Sequence, residues 1–371
     1  MDVERRLELI TREPMEEVIT LDELRNLLET KDKIVGYDGF ETSGFMHIGT
    51  CLERIIKLKD LLEAKVDFIL FIADWFAYLN NKLGGNIELI QKTGEYFIEG
   101  WGAAAKVFDV DFDKVRIQWS SKLVENPEYW ELFLKISKTV TIKRTLRAVT
   151  IAGRTEAEVK QPALLIYPLM QSTDIFMLND GKGVDICQLG MDQRKVNMLA
   201  REIAPKIGRP KPLALHHHLM AGLLGPSKMG KFDENEKIDL EISSKMSKSK
   251  PDTAIFIHDN EQEIKRKLRN AYCPAKQIEN NPVIEIARYI LFRKFNTIVI
   301  KREEKYGGNL EIQSYRELEK IYREGKLHPL DLKNAVAEHL NEIIAPIREH
   351  FEKNEKAREL YEIVKQASVT R

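Results

Sequence analysis

Apolar and polar positions along the chain alternate between strand-like and helix-like spacing. Thr20 and Glu23 have capping-box spacing ahead of a helix carrying Leu24, Leu27 and Leu28, and Lys33 to Tyr37 then predicts a short strand. A loop follows from Asp38 to Thr50. Beyond it Leu52, Ile55, Ile56, Lys59 and Leu62 recur as one helical face, and the apolar run Val66 to Ala73 predicts a buried strand. Strand, glycine loop, helix and strand make a βαβ unit, which implies a parallel sheet with a right-handed crossover. Such sheets bind ligands at the carboxyl ends of their strands.

From about 86 to 180 the pattern is mainly helical and includes a basic stretch with Lys143, Arg144, Arg147 and Arg154. This predicts a helical insertion in the sheet, over about 110–165. Val184 to Cys187 predicts a further strand, a helix begins near 192, and Pro210 to His216 predicts the last strand. Gly222 to Ser249 is expected to be a long loop rich in Gly, Lys and Ser, and loops of that length usually carry function. After Pro251 the chain turns helical, with caps expected at Asp259 and Ser314 and a long amphipathic stretch from Leu330 to Phe351. The expected fold is α/β, with a parallel-sheet domain over 1–250 and an α-helical domain over 251–371.

Composition changes this picture little. Hydrophobic residues at 43% and charged residues at 31% of 371 describe a soluble globular protein. Lys plus Arg equals Asp plus Glu at 58 each, so net charge gives no argument for nucleic acid, and any RNA contact must use local basic patches. Cys51, Cys187 and Cys273 lie far apart without C-x-x-C spacing, which predicts reduced thiols and neither a disulfide scaffold nor a metal clip. No apolar run approaches the roughly 18 residues needed to cross a bilayer. A cytoplasmic protein without a membrane partner is expected.

Two segments carry candidate chemistry. His47-Ile48-Gly49-Thr50 puts an imidazole and a small glycine where a helix begins, so free N–H groups and the ring can face phosphate. Lys245-Met246-Ser247-Lys248-Ser249 puts two ammonium groups on the long loop, suited to charge growing between the α- and β-phosphates of a nucleotide. Either segment alone also fits a plain alternative, a helix-capping turn or a solvated basic loop. Tyr167, Gln171 and Asp174 stand four and three apart, so they share one helix face. Their neighbours Ile166, Leu169, Met170 and Phe176 imply burial, and buried polar groups need partners.

Together these segments resemble the class I aminoacyl-tRNA synthetases: His47 to Thr50 is similar to the HIGH signature and Lys245 to Ser249 to the KMSKS signature. Tyr167 to Asp174 and Gly190 to Lys195 resemble the tyrosyl branch, and Ala73-Asp74-Trp75 and Leu327 to Val336 resemble its archaeal and eukaryotic type. The resemblance runs nearly end to end. It implies a Rossmann-like catalytic domain, a helical anticodon-binding domain, and a homodimer paired through the inserted helices. It also implies tyrosine, ATP with Mg2+, and tRNA(Tyr) as partners, with tyrosyl-adenylate as intermediate. By resemblance, Tyr37 and Asp174 hydrogen-bond the phenol, and Tyr167, Gln171 and Gln193 hold the α-ammonium group. Asp192 takes the ribose. His47 stabilises the phosphorus under attack with Ser43 assisting, and Lys245 and Lys248 draw off pyrophosphate within an ATP site of Gly49, Thr50, Asp192 and Lys245 to Lys248. Thr50 departs from the second histidine of the signature, although its hydroxyl still offers one donor. Arg194 and Lys195 are expected at the acceptor stem, and Tyr306, His328 and Asp331 at the first anticodon base.

His216-His217-His218 invites a zinc reading, but successive side chains on a strand diverge and neither cysteine nor acidic residues flank them, so a structural role is expected. Rival functions are a tryptophanyl-tRNA synthetase, which shares both signatures, a non-catalytic RNA-binding paralogue, and an adenylyltransferase without tRNA. Asp174 argues against the first, the intact His47, Gly49, Lys245 and Lys248 against the second, and the C-terminal helices against the third.

Overall fold

The structure, a computed structural model, describes residues 1–149 and 158–369; Arg154 of the basic stretch lies outside them. A six-stranded sheet forms the centre, in the order β1-β6-β5-β2-β3-β4. Its strands are β1 (Met15–Ile19), β2 (Ile34–Phe40), β3 (Val66–Ile72), β4 (Arg116–Trp119), β5 (Ile186–Gly190) and β6 (Leu213–His217). β1 runs antiparallel to β6, and every other pair is parallel. The chain steps outward from β2 to β3 and β4 on one side, and later adds β5 and β6 on the other. The order therefore reverses between β2 and β5, where Tyr37 pairs with Cys187, and such a switch point opens a crevice beyond the strand ends.

The helical spacings hold in the structure. Thr20 caps helix Leu21–Thr30 by accepting the Glu23 N–H at 3.2 Å, and Ser314 caps helix Tyr315–Arg323. Helix Leu52–Glu63 follows the glycine loop, helix Pro162–Met177 carries Tyr167, Gln171 and Asp174, and helix Pro329–Lys353 covers the long amphipathic stretch. Helix Ile87–Val107 lies close against the sheet edge because Gly94 has no side chain: a Cβ there would stand 2.5 Å from the Trp119 ring.

Four expectations are corrected. β4 falls inside the range read as helical insertion; it is a short edge strand whose residues are all half-buried, so it lacks the apolar run of a central strand. The loop 222–249 contains helix Glu236–Ser244, capped by Asn235. The cap expected at Asp259 is Asn260, because the Asp259 carboxylate is occupied by the Phe256 N–H and by Lys267 Nζ. The region after 251 also holds a small antiparallel pair, β7 (Ile298–Ile300) with β8 (Leu310–Ile312), among its helices.

Candidate active site

A cavity of about 950 Å³ opens at the carboxyl ends of β2 and β5. β2 supplies Tyr37, Asp38 and the following Glu41, β5 supplies Gly190, and helix Pro162–Met177 turns Tyr167, Gln171 and Asp174 into the same space. The end with Tyr37 and Asp174 is buried. Tyr37 Oη and Asp174 Oδ2 both lack a hydrogen-bond partner there. The other carboxylate oxygen is occupied, since Tyr129 Oη donates to Asp174 Oδ1 at 2.9 Å. Burial raises the Asp174 carboxyl well above the usual carboxylate range, the Tyr129 hydrogen bond opposes this, and Asp74 adds to it. Burial likewise raises the Tyr37 phenol, helped by Cys187 and Asp174, while Gln171 eases it slightly without reaching hydrogen-bonding geometry. Phe71 and Phe76 form apolar wall beside these groups, edge-on to Tyr37 at 6.5 Å and to Tyr167 at 4.9 Å.

Further out the wall becomes polar. Tyr167 Oη donates to Glu41 Oε1 at 2.5 Å, and Gln171 Nε2 donates to Gln193 Oε1 at 3.2 Å. A carboxylate, a phenol and two amides thus line a patch suited to an ammonium group. Sequence reasoning missed Glu41 and Tyr129. Glu41 stood in the glycine loop as a visible acidic residue next to a strand end, a signal that could have been used. Tyr129 carried none, because it meets Asp174 across 45 positions of chain.

The other end of the cavity carries the two signature segments. His47 accepts the Gly49 N–H on Nδ1 at 3.2 Å. Burial, then Lys248, Lys245 and Arg54, pushes the His47 ring down to about 3, so the ring is neutral and its proton sits on Nε2 as a donor. Gly49 allows this close turn, since a Cβ there would stand 3.2 Å from both the His47 ring and Met220 Cβ. The Thr50 hydroxyl donates to the His47 carbonyl at 3.1 Å and accepts the His47 N–H at 3.2 Å. These two bonds tie the turn together while Thr50 lines the cavity.

Lys245 Nζ pairs with Asp192 Oδ2 at 2.5 Å, and the Met246 N–H donates to Met220 O at 2.8 Å. Ser247 and Ser249 share a hydrogen bond at 2.8 Å, and Lys248 Nζ stands 4.6 Å above the Phe97 ring. The two signatures are tied through backbone. Ile48 N–H donates to Ile255 O at 2.9 Å and Ile257 N–H to Met46 O at 3.1 Å, so the segment just beyond the lysine loop is bonded to the histidine loop.

His47, Gly49, Thr50, Tyr37, Tyr167, Gln171, Asp174, Asp192, Gln193 and Lys245 to Lys248 all line this one cavity; Ser43 does not. Arg194 and Lys195 also stand outside it, paired with Glu17 at 2.9 Å and Asp233 at 3.7 Å. Tyr306 is exposed with Lys305 over its ring at 4.9 Å, and His328 caps helix Pro329–Lys353 with Asp331 in its first turn.

The histidine triplet diverges along β6 as expected. His216 meets Glu17 and Asn197, while His217 meets Gln188. His218 departs from the sequence reading, because folding brings Glu16, Glu241 and Glu285 around it from distant positions. Ligand atoms of Glu16, His218 and Glu241 come within 4.8 Å of one another, near enough for a metal. Both ring nitrogens face carboxylates, however, which is the hydrogen-bond pattern of an imidazolium.

The sequence matches the model of a family described as class I tRNA synthetases for tryptophan and tyrosine, over residues 29–243 and 239–345. Within it, the tyrosine–tRNA ligase of Thermococcus kodakarensis is 46% identical over 98% of this chain and 99% of its own. The chain belongs to the tyrosine–tRNA ligase family. The structure of a family member from Pyrococcus horikoshii, solved as tyrosyl-tRNA synthetase complexed with L-tyrosine, superposes with a TM-score of 0.89 at 42% identity, covering 98% of this chain and 100% of that one. A tryptophanyl-tRNA synthetase from Aeropyrum pernix shares the fold at a TM-score of 0.68, with 18% identity over 98% of this chain and 90% of its own. Both signature segments of that family line one cavity in this structure.

Proposed function

We propose that this chain activates tyrosine with ATP and transfers it to the terminal adenosine of tRNA(Tyr). The observation that carries the reading is the pair of buried groups without partners, Tyr37 Oη and Asp174 Oδ2, at one end of a cavity whose other end holds His47, Lys245 and Lys248. A phenol O–H between them donates to the carboxylate and accepts from Tyr37. The α-ammonium group then lies against Tyr167, Gln171, Gln193 and Glu41, which aims the carboxylate toward the nucleotide end.

In the first step a tyrosine carboxylate oxygen bonds to the α-phosphorus as the bond to the bridging oxygen of pyrophosphate breaks. No protein nucleophile takes part. His47 Nε2–H donates to the phosphoryl oxygens as their charge grows, and Lys245 and Lys248 receive the leaving pyrophosphate, so orientation and charge stabilisation supply the catalysis. Asp192 accepts from the ribose hydroxyls, for which Lys245 has to leave it. The phosphate end offers lysines and serines, which fits Mg2+ held chiefly by ATP oxygens and water, where it would neutralise phosphate charge. Ser43 lies outside the cavity lining, so any assistance from it acts through the loop.

In the second step a ribose hydroxyl of the terminal adenosine attacks the tyrosyl carbonyl and AMP leaves. Arg194 and Lys195 beside the cavity suit the acceptor stem, and exposed Tyr306 with His328 and Asp331 suits an unstacked anticodon base. On this reading 1–250 is the catalytic domain and 251–371 the anticodon-binding domain. Trp130, Leu134 and Ile142 are large apolar residues exposed on the inserted helices, which supports pairing of two chains there. Three buried free thiols suit a reducing cytoplasm, and among the described residues no helix is long and apolar enough to cross a membrane. Pyrophosphate exchange with each of the twenty amino acids, followed by charging of bulk tRNA, tests the reading. Exchange with tyrosine alone and a charged tRNA are expected; exchange with tryptophan, or none, overturns it.

A further inference from the structure

The last helix of the chain reaches the histidine loop. Helix Glu355–Val369 packs against helix Ile87–Val107, and Tyr361 on it stacks on Phe45, with ring centroids 5.5 Å apart and planes 26° apart. Phe45 precedes His47 by two positions. The same Tyr361 ring lies 4.3 Å from the His258 ring. His258 Nε2 is 2.8 Å from Tyr96 Oη, and that oxygen accepts the Met46 backbone N–H at 3.3 Å. Burial, aided by Arg348, holds the His258 ring down at about 3, so at neutral pH it is uncharged and its bond to Tyr96 joins two neutral groups.

Two routes from Tyr361 therefore converge on the residues immediately before His47, one by stacking on Phe45 and one through His258 and Tyr96. Ordinary packing is the plainer explanation. Against it, Phe45 and Tyr361 are only half-buried, and the loop from Glu41 to Met46 has no regular structure, so these contacts bear on where His47 stands. The tyrosine pocket draws instead on β2 and helix Pro162–Met177, whereas the ring partners of Tyr361 are Phe45 and His258.

We propose that Tyr361 is a positioning residue for adenylate formation, holding the histidine loop through Phe45 and through the His258, Tyr96 and Met46 chain. The inference rests on the proposed function, and wild-type exchange with tyrosine tests that reading separately. The experiment compares full-length wild type, Tyr361→Ala, Tyr361→Leu and Tyr361→Phe, with active sites counted by titration. It reads the single-turnover rate of adenylate formation, the KM for ATP and the equilibrium Kd for tyrosine. A displacement of about 1 Å can slow a reaction roughly a hundredfold, so a partly loosened loop in Tyr361→Ala is expected to slow the rate about tenfold. The tyrosine Kd should stay within about twofold of wild type, as expected for a contact remote from that pocket. Tyr361→Phe keeps the stack and should match wild type. Tyr361→Leu keeps apolar bulk without the flat ring and carries the expectation of the alanine variant if that one does not fold. A wild-type rate in the alanine or leucine variant, an equal loss in tyrosine binding, or a phenylalanine variant as slow as these would overturn the proposal.

Discussion

Tyr129 donates its hydroxyl to Asp174 Oδ1 at 2.9 Å, so one oxygen of the buried carboxylate is held by the protein and Oδ2 is left without a partner. The same hydrogen bond is what opposes the upward push of burial on the Asp174 carboxyl. Removing it with Tyr129→Phe should raise that carboxyl further. On the proposed reading the phenol donates to an ionised Asp174, so kcat/KM for tyrosine should fall as pH drops through the carboxyl's titration, and in Tyr129→Phe this acid limb should move to higher pH. Pyrophosphate exchange measured across pH checks it; an unmoved limb would show that Tyr129 does not tune Asp174.

Lys245→Ala and Lys248→Ala should each slow adenylate formation while the tyrosine Kd holds, because the contacts proposed for them, to departing pyrophosphate, would strengthen in the transition state. Stopped-flow rates beside equilibrium binding make the comparison. Equal losses in both would contradict the assignment.

His218 should make stability depend on pH. Its three carboxylate partners outweigh burial and raise the imidazole well above its ordinary value of 6.5. A raised folded-state value means that the stabilisation is fully present below about 6.5 and is lost as pH climbs through the folded value. Glu16, Glu241 and Glu285 pair with it, Lys237 stands near Glu16, and buried Glu53 also feels its charge. Wild-type Tm should fall on the alkaline side, and His218→Gln should flatten that slope. Parallel slopes in a thermal melt series would count against the imidazolium.

The sequence made the helix with Tyr167, Gln171 and Asp174 legible because spacing of four and three survives any tertiary context. Strand β2 and its loop were legible because a short apolar run is followed at once by a glycine-containing loop. β1 and β4 were not, since short edge strands lack the apolar run that marks a central one. Tyr129 and the glutamates around His218 were invisible because each partnership is made by folding across long stretches of chain. The hydrogen bonds of Thr50 with the His47 backbone are local turn geometry, which residue type alone does not specify.

Pairing of two chains should depend on the inserted helices. Leu134→Asp buries a charge in any interface formed there and should shift the sedimenting species from two chains to one at micromolar concentration. A wild-type species already of one chain would refute the dimer.

Tyrosine and phenylalanine differ by the hydroxyl that the proposed function gives to Tyr37 and Asp174, so the ratio of kcat/KM for the two amino acids tests the account most directly. Tyr37→Phe removes a neutral partner worth about 0.5–1.5 kcal/mol and should lower the ratio modestly. Asp174→Ala removes a charged acceptor worth about 1.5–3 kcal/mol, so in pyrophosphate exchange the preference for tyrosine over phenylalanine should fall roughly ten- to hundredfold. An Asp174→Ala enzyme that keeps the wild-type ratio would contradict the claim that Asp174 reads the phenol.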